Sequence, residues 1–107
     1  MLIQSKNWEF VLDDDGYHLY LNECGVNSYH DLPAIIYAAG SISWYLDNQM
    51  HRENDLPAFI DEVHGILTWV KHGKIHRDNG PAHILDNGEG REEEFWIDGK
   101  MVTSFVK

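Results

Sequence analysis

His76-Arg77-Asp78-Asn79-Gly80-Pro81-Ala82 is a stretch that this chain writes more than once. Upstream, His51-Arg52 runs through Glu53-Asn54-Asp55-Leu56 into Pro57-Ala58, and Asp31-Leu32 runs into Pro33-Ala34. All three prolines of the chain, at 33, 57 and 81, therefore stand 24 residues apart, and each Pro-Ala leads to an isoleucine, Ile36, Ile60 or Ile84. Self-similarity at such a period marks an array of small units rather than a conventional enzyme fold.

Other residues fall into the same phase. Gly16 and Gly40, Tyr20 and Trp44, and Val26 and Met50 keep the step, and Leu12 extends the isoleucine series backwards. One residue is inserted before Gly65, which delays the next aromatic to Trp69, and a shorter path from His76 to Pro81 restores the phase. The last copy is looser around Gly88-Glu89-Gly90 and reaches its aromatic at Phe95. The units are then Glu9–Leu32, Pro33–Leu56, Pro57–Gly80 and Pro81–Ser104, with residues 1–8 as an N-terminal cap and 105–107 as a tail, in one domain spanning 1–107. The first unit lacks the proline and the last lacks His-Arg, as expected of copies that cap an array.

Within a unit the pattern is that of strands. Ala34-Ile35-Ile36-Tyr37 is apolar, Ala38-Ala39-Gly40 turns, and Ser41-Ile42-Ser43-Trp44-Tyr45-Leu46 alternates at the period of two. Asp47-Asn48, His72-Gly73 and Asp98-Gly99 have the composition of two-residue hairpin turns. Turn residues recur too often for useful helices. The expected fold is all-β, an antiparallel meander of about four stacked 24-residue β-hairpin repeats with about eight or nine strands. Tyr20, Trp44, Trp69 and Phe95 should make one ladder of core residues, and Leu12, Ile36, Ile60 and Ile84 another.

The unit with aromatic-x-x-x-Gly-Lys, written as Trp69-Val70-Lys71-His72-Gly73-Lys74 and Phe95-Trp96-Ile97-Asp98-Gly99-Lys100, resembles MORN-type repeats of the variant class over most of residues 9–104. The His-Arg-x-x-Gly-Pro-Ala element resembles a repeat found in phage and bacterial proteins. The resemblance implies a β-hairpin array used for contact with other macromolecules, antitoxin-like proteins included. Asn48, where Gly is usual, departs from the pattern, as does the survival of His-Arg in only two units.

Charge narrows the partner. Eighteen acidic against eight basic residues leave a net charge of −10. Phosphates and anionic membrane surfaces want Lys and Arg, so direct binding to nucleic acid or membrane is not expected. A basic protein or nucleoprotein surface is what such a charge steers towards, although the same charge also serves solubility. No apolar run approaches a membrane span or a signal peptide's core. The single Cys24 suits a reducing, cytoplasmic compartment.

The seven histidines show no tight zinc-ligand spacing, and one cysteine supplies no thiolate cluster, so neither metal nor cofactor is expected. His51 and His76 are repeat-phased, and residues in phase usually serve the repeat, here by hydrogen bonding a neighbouring turn. No nucleophile elbow, P-loop or dinucleotide fingerprint occurs, and Cys24 beside Glu23 has the wrong neighbour for an activated thiol. The chain is read as non-catalytic. A small enzyme using His51, His76 and a carboxylate is the weakest alternative.

Acidic residues do follow the repeat. Asp13-Asp14-Asp15 precede Gly16, Asp61-Glu62 precede Gly65, Asp86 and Glu89 flank Gly88, and Glu92-Glu93-Glu94 follow nearby. Stacked units would bring these turns to one sheet edge, a row of charge able to imitate nucleic acid and occupy a basic groove. The leading expectation is an inhibitor of a nucleic-acid-handling complex. A phage anti-defence protein such as an anti-CRISPR fits the size and charge. An antitoxin- or immunity-like module acting through the exposed aromatics Tyr37, Tyr45 and Trp96 is the alternative. Edge strands of an open meander also invite a homodimer.

Overall fold

The computed structural model describes the backbone of residues 2–4, 8–13, 16–21, 25–26, 33–37 and 39–106, and the side chains of 33–37 and 39–106. Strand β1 (Leu2–Gln4) belongs to the cap, and β2 (Trp8–Asp13), β3 (Gly16–Leu21) and β4 (Gly25–Val26) to the first unit. The second supplies β5 (Ile35–Tyr37), β6 (Ile42–Ser43), β7 (Tyr45–Leu46) and β8 (Gln49–Met50). The third supplies β9 (Phe59–Asp61), β10 (Ile66–Thr68), β11 (Val70–Lys71) and β12 (Lys74–Ile75). The fourth supplies β13 (His83–Asp86), β14 (Arg91–Ile97) and β15 (Lys100–Val106).

The fold is all-β and antiparallel. Among the described residues eleven strands form one sheet in the order β1-β2-β3-β5-β6-β9-β10-β13-β14-β15 with β4 on β3, while β7-β8 and β11-β12 form separate hairpins. Fifteen strands among the described residues stand where eight or nine were expected: Trp44 and Trp69 each cut one long strand in two, and the short segments β1, β4, β8 and β12 pair as strands of their own. Trp44 gives its N–H to Ala58 O of the main sheet at 2.8 Å, and its own carbonyl accepts the His51 N–H of the small hairpin at 3.0 Å. Trp69 makes the same exchange with Ala82 and His76, at 2.7 and 3.1 Å. In the last unit the chain does not break; β14 steps out of register with β15 between Phe95 and Trp96 instead, a bulge where the earlier units hand over. The expected tail also contributes, since β15 runs on through Phe105 and Val106.

Register puts the isoleucine ladder on one row, although of its described side chains Ile84 is buried, Ile60 half-buried and Ile36 exposed. Leu12 faces Tyr17, Tyr17 faces Ile36, Ile36 faces Ile42, Ile42 faces Ile60, Ile60 faces Leu67 and Leu67 faces Ile84. Every member of the series lies on one cross-strand row, with one residue between each pair. Beside that row the small residues Ala34, Ala58 and Ala82 are fully buried, Ala58 bonded to the Trp44 backbone and Ala82 packed with Trp69. Each of them sends its N–H across to Ser43, Thr68 or Glu94 at 2.8 Å. The preceding proline costs no bond there, because it sits just outside the strand.

The hairpin tips are two-residue turns of the mirror-image type. Both residues of each tip have positive φ, at Asp47 and Asn48 (50° and 65°), His72 and Gly73 (50° and 78°), and Asp98 and Gly99 (49° and 79°). Asn48 fills the glycine position because its short amide tolerates the left-handed region. Successive tips stack through Gly73 N–H to Met50 O and Gly99 N–H to Ile75 O, both at 2.9 Å.

Candidate functional site: the acidic turn edge

Strands β2, β5, β9 and β13 all run out at one end of the sheet. Asp13 faces Gly16, Gly16 faces Tyr37, and Asp61 faces Ile66, which faces Leu85, itself opposite Glu92. Asp13, Tyr37, Asp61 and Glu92 thus share one row, and Asp86 stands one residue beyond it. At about 4.8 Å per strand, the Asp61 turn lies roughly 10 Å from the Asp86 turn and roughly 19 Å from Asp13. Asp14 and Asp15 lie outside the described residues.

Local chemistry differs from turn to turn. Asp61 accepts the His64 backbone N–H at 3.1 Å on one oxygen and meets His64 Nδ1 at 2.8 Å on the other. Those bonds, the side-chain one first, hold its carboxyl below the usual carboxylate range. Glu62 and Val63 stand exposed at the tip, Val63 to 74%. In the next turn Asp86 accepts from the Gly88 N–H at 3.2 Å and Asn87 from the Glu89 N–H at 3.0 Å, which rigidifies the loop and leaves Glu89 exposed.

Glu92, Glu93 and Glu94 do not act together, because a strand points successive side chains to opposite faces. Glu92 is exposed and prolongs the edge. Glu93 is turned inward at 8% exposure and pairs with Arg91 Nη2 at 3.2 Å. Arg91 also reaches Asp86 at 3.7 Å. Glu94 is half-buried and accepts the indole N–H of Trp96 at 3.0 Å. Glu62, Asp86, Glu89 and Glu92 are therefore the exposed carboxylates of the described edge, Asp86 being engaged by the Gly88 N–H and Arg91.

The aromatic set is placed differently from expectation. Trp96 is not an exposed anchor: it packs against the cluster of Trp69, Ala82 and Ile84, together with Leu67 and Ile75. Phe95, expected on the ladder, instead meets Phe105 edge-on at 5.8 Å. Tyr37 and Tyr45 are half-buried. Burial, with Tyr37 as the second cause, pushes the Tyr45 hydroxyl up from its ordinary value.

His51 and His76 bond the neighbouring turn. His72 N–H donates to His51 Nδ1, and Asp98 N–H to His76 Nδ1, each at 3.0 Å. The other ring nitrogens meet Glu53 at 2.6 Å and Asp78 at 3.0 Å. The following arginines cover the tryptophans, Arg52 lying 3.6 Å from the Trp44 ring centre and Arg77 3.9 Å from that of Trp69. They also donate to Pro57 O and Pro81 O, at 3.0 and 3.1 Å. Between these loops run grooves of about 280 Å³, lined by Arg52, Asp55, Trp69 and Arg77, and about 290 Å³, lined by Trp44, Tyr45 and His51. The Arg–Trp stack escaped the sequence reading, although Trp44 to Arg52 and Trp69 to Arg77 repeat the same eight-residue step.

Among the described residues no group of three or more His, Cys, Asp or Glu is placed to hold a metal ion, and no helix is long and apolar enough to cross a membrane. No protein-family model, no curated protein and no solved structure matches the chain.

Proposed function

We propose that this chain is a non-catalytic, cytoplasmic binding module whose acidic turn edge docks onto a basic protein surface, most concretely to inhibit a nucleic-acid-handling complex by imitating its ligand. The observation that carries the reading is the shared cross-strand row of Asp13, Asp61 and Glu92, with Asp86 one residue beyond. Exposed Glu62 and Glu89 stand at the same end. A rigid sheet spaces these charges at fixed intervals, which a solvated, merely solubilising surface does not require. The net charge of −10 and the likeness to MORN-type contact arrays point the same way. The aromatic alternative is weakened by the packing of Trp96.

The test uses the exposed glutamates, which leave the turns intact. Wild-type chain and a Glu62→Lys, Glu89→Lys, Glu92→Lys variant are compared as baits in host lysate at low and high salt. Nucleic acid is then added as competitor. Under this reading the wild type captures a nucleic-acid-binding protein, salt and nucleic acid release it, and the variant loses it. Capture that ignores both salt and charge reversal would falsify it.

A further inference from the structure

The sheet ends on a strand without the usual protection. β15 is seven residues long, pairs only with β14 among the described strands, and exposes every one of its residues. Met101, Val102, Phe105 and Val106 are 52, 66, 53 and 79% exposed. Edges are normally blunted by short strands, charge, proline or a bulge. At the opposite end of the sheet β1 has only three residues, whereas Met101 to Val106 contains neither a charge nor a proline. The register step at Phe95/Trp96 distorts only the Lys100–Val102 end, and Thr103 to Val106 pairs without interruption with Glu92 to Phe95.

We propose that the outer edge of β15 is a self-association surface, on which a second copy of this chain lays its own β15 antiparallel about a two-fold axis beside Ser104. This goes beyond the acidic docking edge and does not depend on it. Three features favour a second copy over a foreign strand. In this register Thr103 faces Phe105 of the second copy and Val102 faces its Val106, so β-branched and aromatic residues meet on either side of the central Ser104 pair. The edge-on Phe95–Phe105 pair is then continued across the joint. Finally, a two-fold contact closes at two copies, whereas β15 on β1 of another copy would propagate into a filament.

The test is the oligomeric state of the 107-residue chain by sedimentation across a concentration series. A monomer–dimer equilibrium is expected, abolished by Val102→Lys with Val106→Lys. In a Cys24→Ser background, Ser104→Cys should give a reducible covalent dimer and Lys100→Cys should not. Glu62→Lys with Glu89→Lys should leave the dimer intact, which separates this surface from the docking edge. A wild-type chain that stays monomeric overturns the proposal. So does a dimer that survives the lysine substitutions, an open-ended polymer, or equal crosslinking at both cysteine positions.

Discussion

His51 and His76 each hold two repeats together with one ring. Because a backbone N–H points at Nδ1 in both, that nitrogen must keep its lone pair, and the proton sits on Nε2 facing a carboxylate. Removing either ring leaves a hairpin-tip N–H without its acceptor, a loss of about 1–3 kcal/mol for a buried group. His51→Ala should cost more than His76→Ala, since His51 is 5% exposed and stacks on His72 at 4.3 Å. Equilibrium urea unfolding of both variants measures the difference. Asp55 ties the same loops together: Arg77 Nε reaches one oxygen at 2.9 Å and Nη2 the other at 3.3 Å. The hydrogen bond from Arg77 holds the Asp55 carboxyl below its ordinary value. A depressed carboxylate contributes stability above the unfolded-chain pKa and loses it as pH falls through the lower folded value. Asp55→Asn should therefore flatten the acid limb of a stability–pH curve and leave its slope near neutrality unchanged, as thermal melts across pH will show.

Turns make their own demands at the scale of the element. Gly73 has φ of 78°, and a Cβ there would make only ordinary contacts with Gln49, so the left-handed backbone is the whole penalty. Gly65 has φ of 71°, and its Cβ would fall 1.8 Å from the Asp86 carbonyl oxygen, while its own carbonyl accepts the Asp86 N–H at 2.8 Å. Gly73→Ala should cost about 1–2 kcal/mol, the price of a left-handed L-residue, and Gly65→Ala clearly more, since the β9–β10 turn must pull away from β13. Denaturant midpoints of the two variants decide it. The one-residue insertion before Gly65 was legible in the sequence; this close approach was not. The Pro-Ala-x-Ile phase, the mirror-image tips and the isoleucine row could all be read from spacing, because each is a local demand repeated at a fixed step. The strand breaks at Trp44 and Trp69 could not. Alternation continues unchanged through Ile42, Trp44 and Leu46, and only the exchange of hydrogen-bond partners reveals the hand-over. Trp96 was misplaced for the same reason, since a bulge shifts the side-chain pattern without changing a letter. Within the acidic edge, strand alternation could have warned that Glu93 points away from Glu92, but its pairing with Arg91 depends on a turn that composition does not specify.

The described molecule as a whole is long and thin, 46 × 27 × 18 Å, and no single centre carries its stability. In such arrays each unit is stabilised mainly by its neighbours, so the residue to probe is one that spans two interfaces. Trp69 is that residue. Its indole N–H donates to Asp55 O of the preceding unit at 3.0 Å, and its backbone N–H reaches Ala82 O of the following one. Its ring packs with Ala82, Ile84 and Trp96 while Arg77 covers the other side. Trp69→Ala should cost about 3–5 kcal/mol, as for other large buried aromatics, which is a large part of the 5–15 kcal/mol that folded domains typically hold. The loss should also be local in its consequences. With the joint between the third and fourth units weakened, amides of β13 and β14 should exchange hydrogen faster, well before those of β2 and β3. A variant in which protection falls equally along the whole sheet would show that the chain unfolds as one cooperative body, and that nearest-neighbour coupling does not describe it.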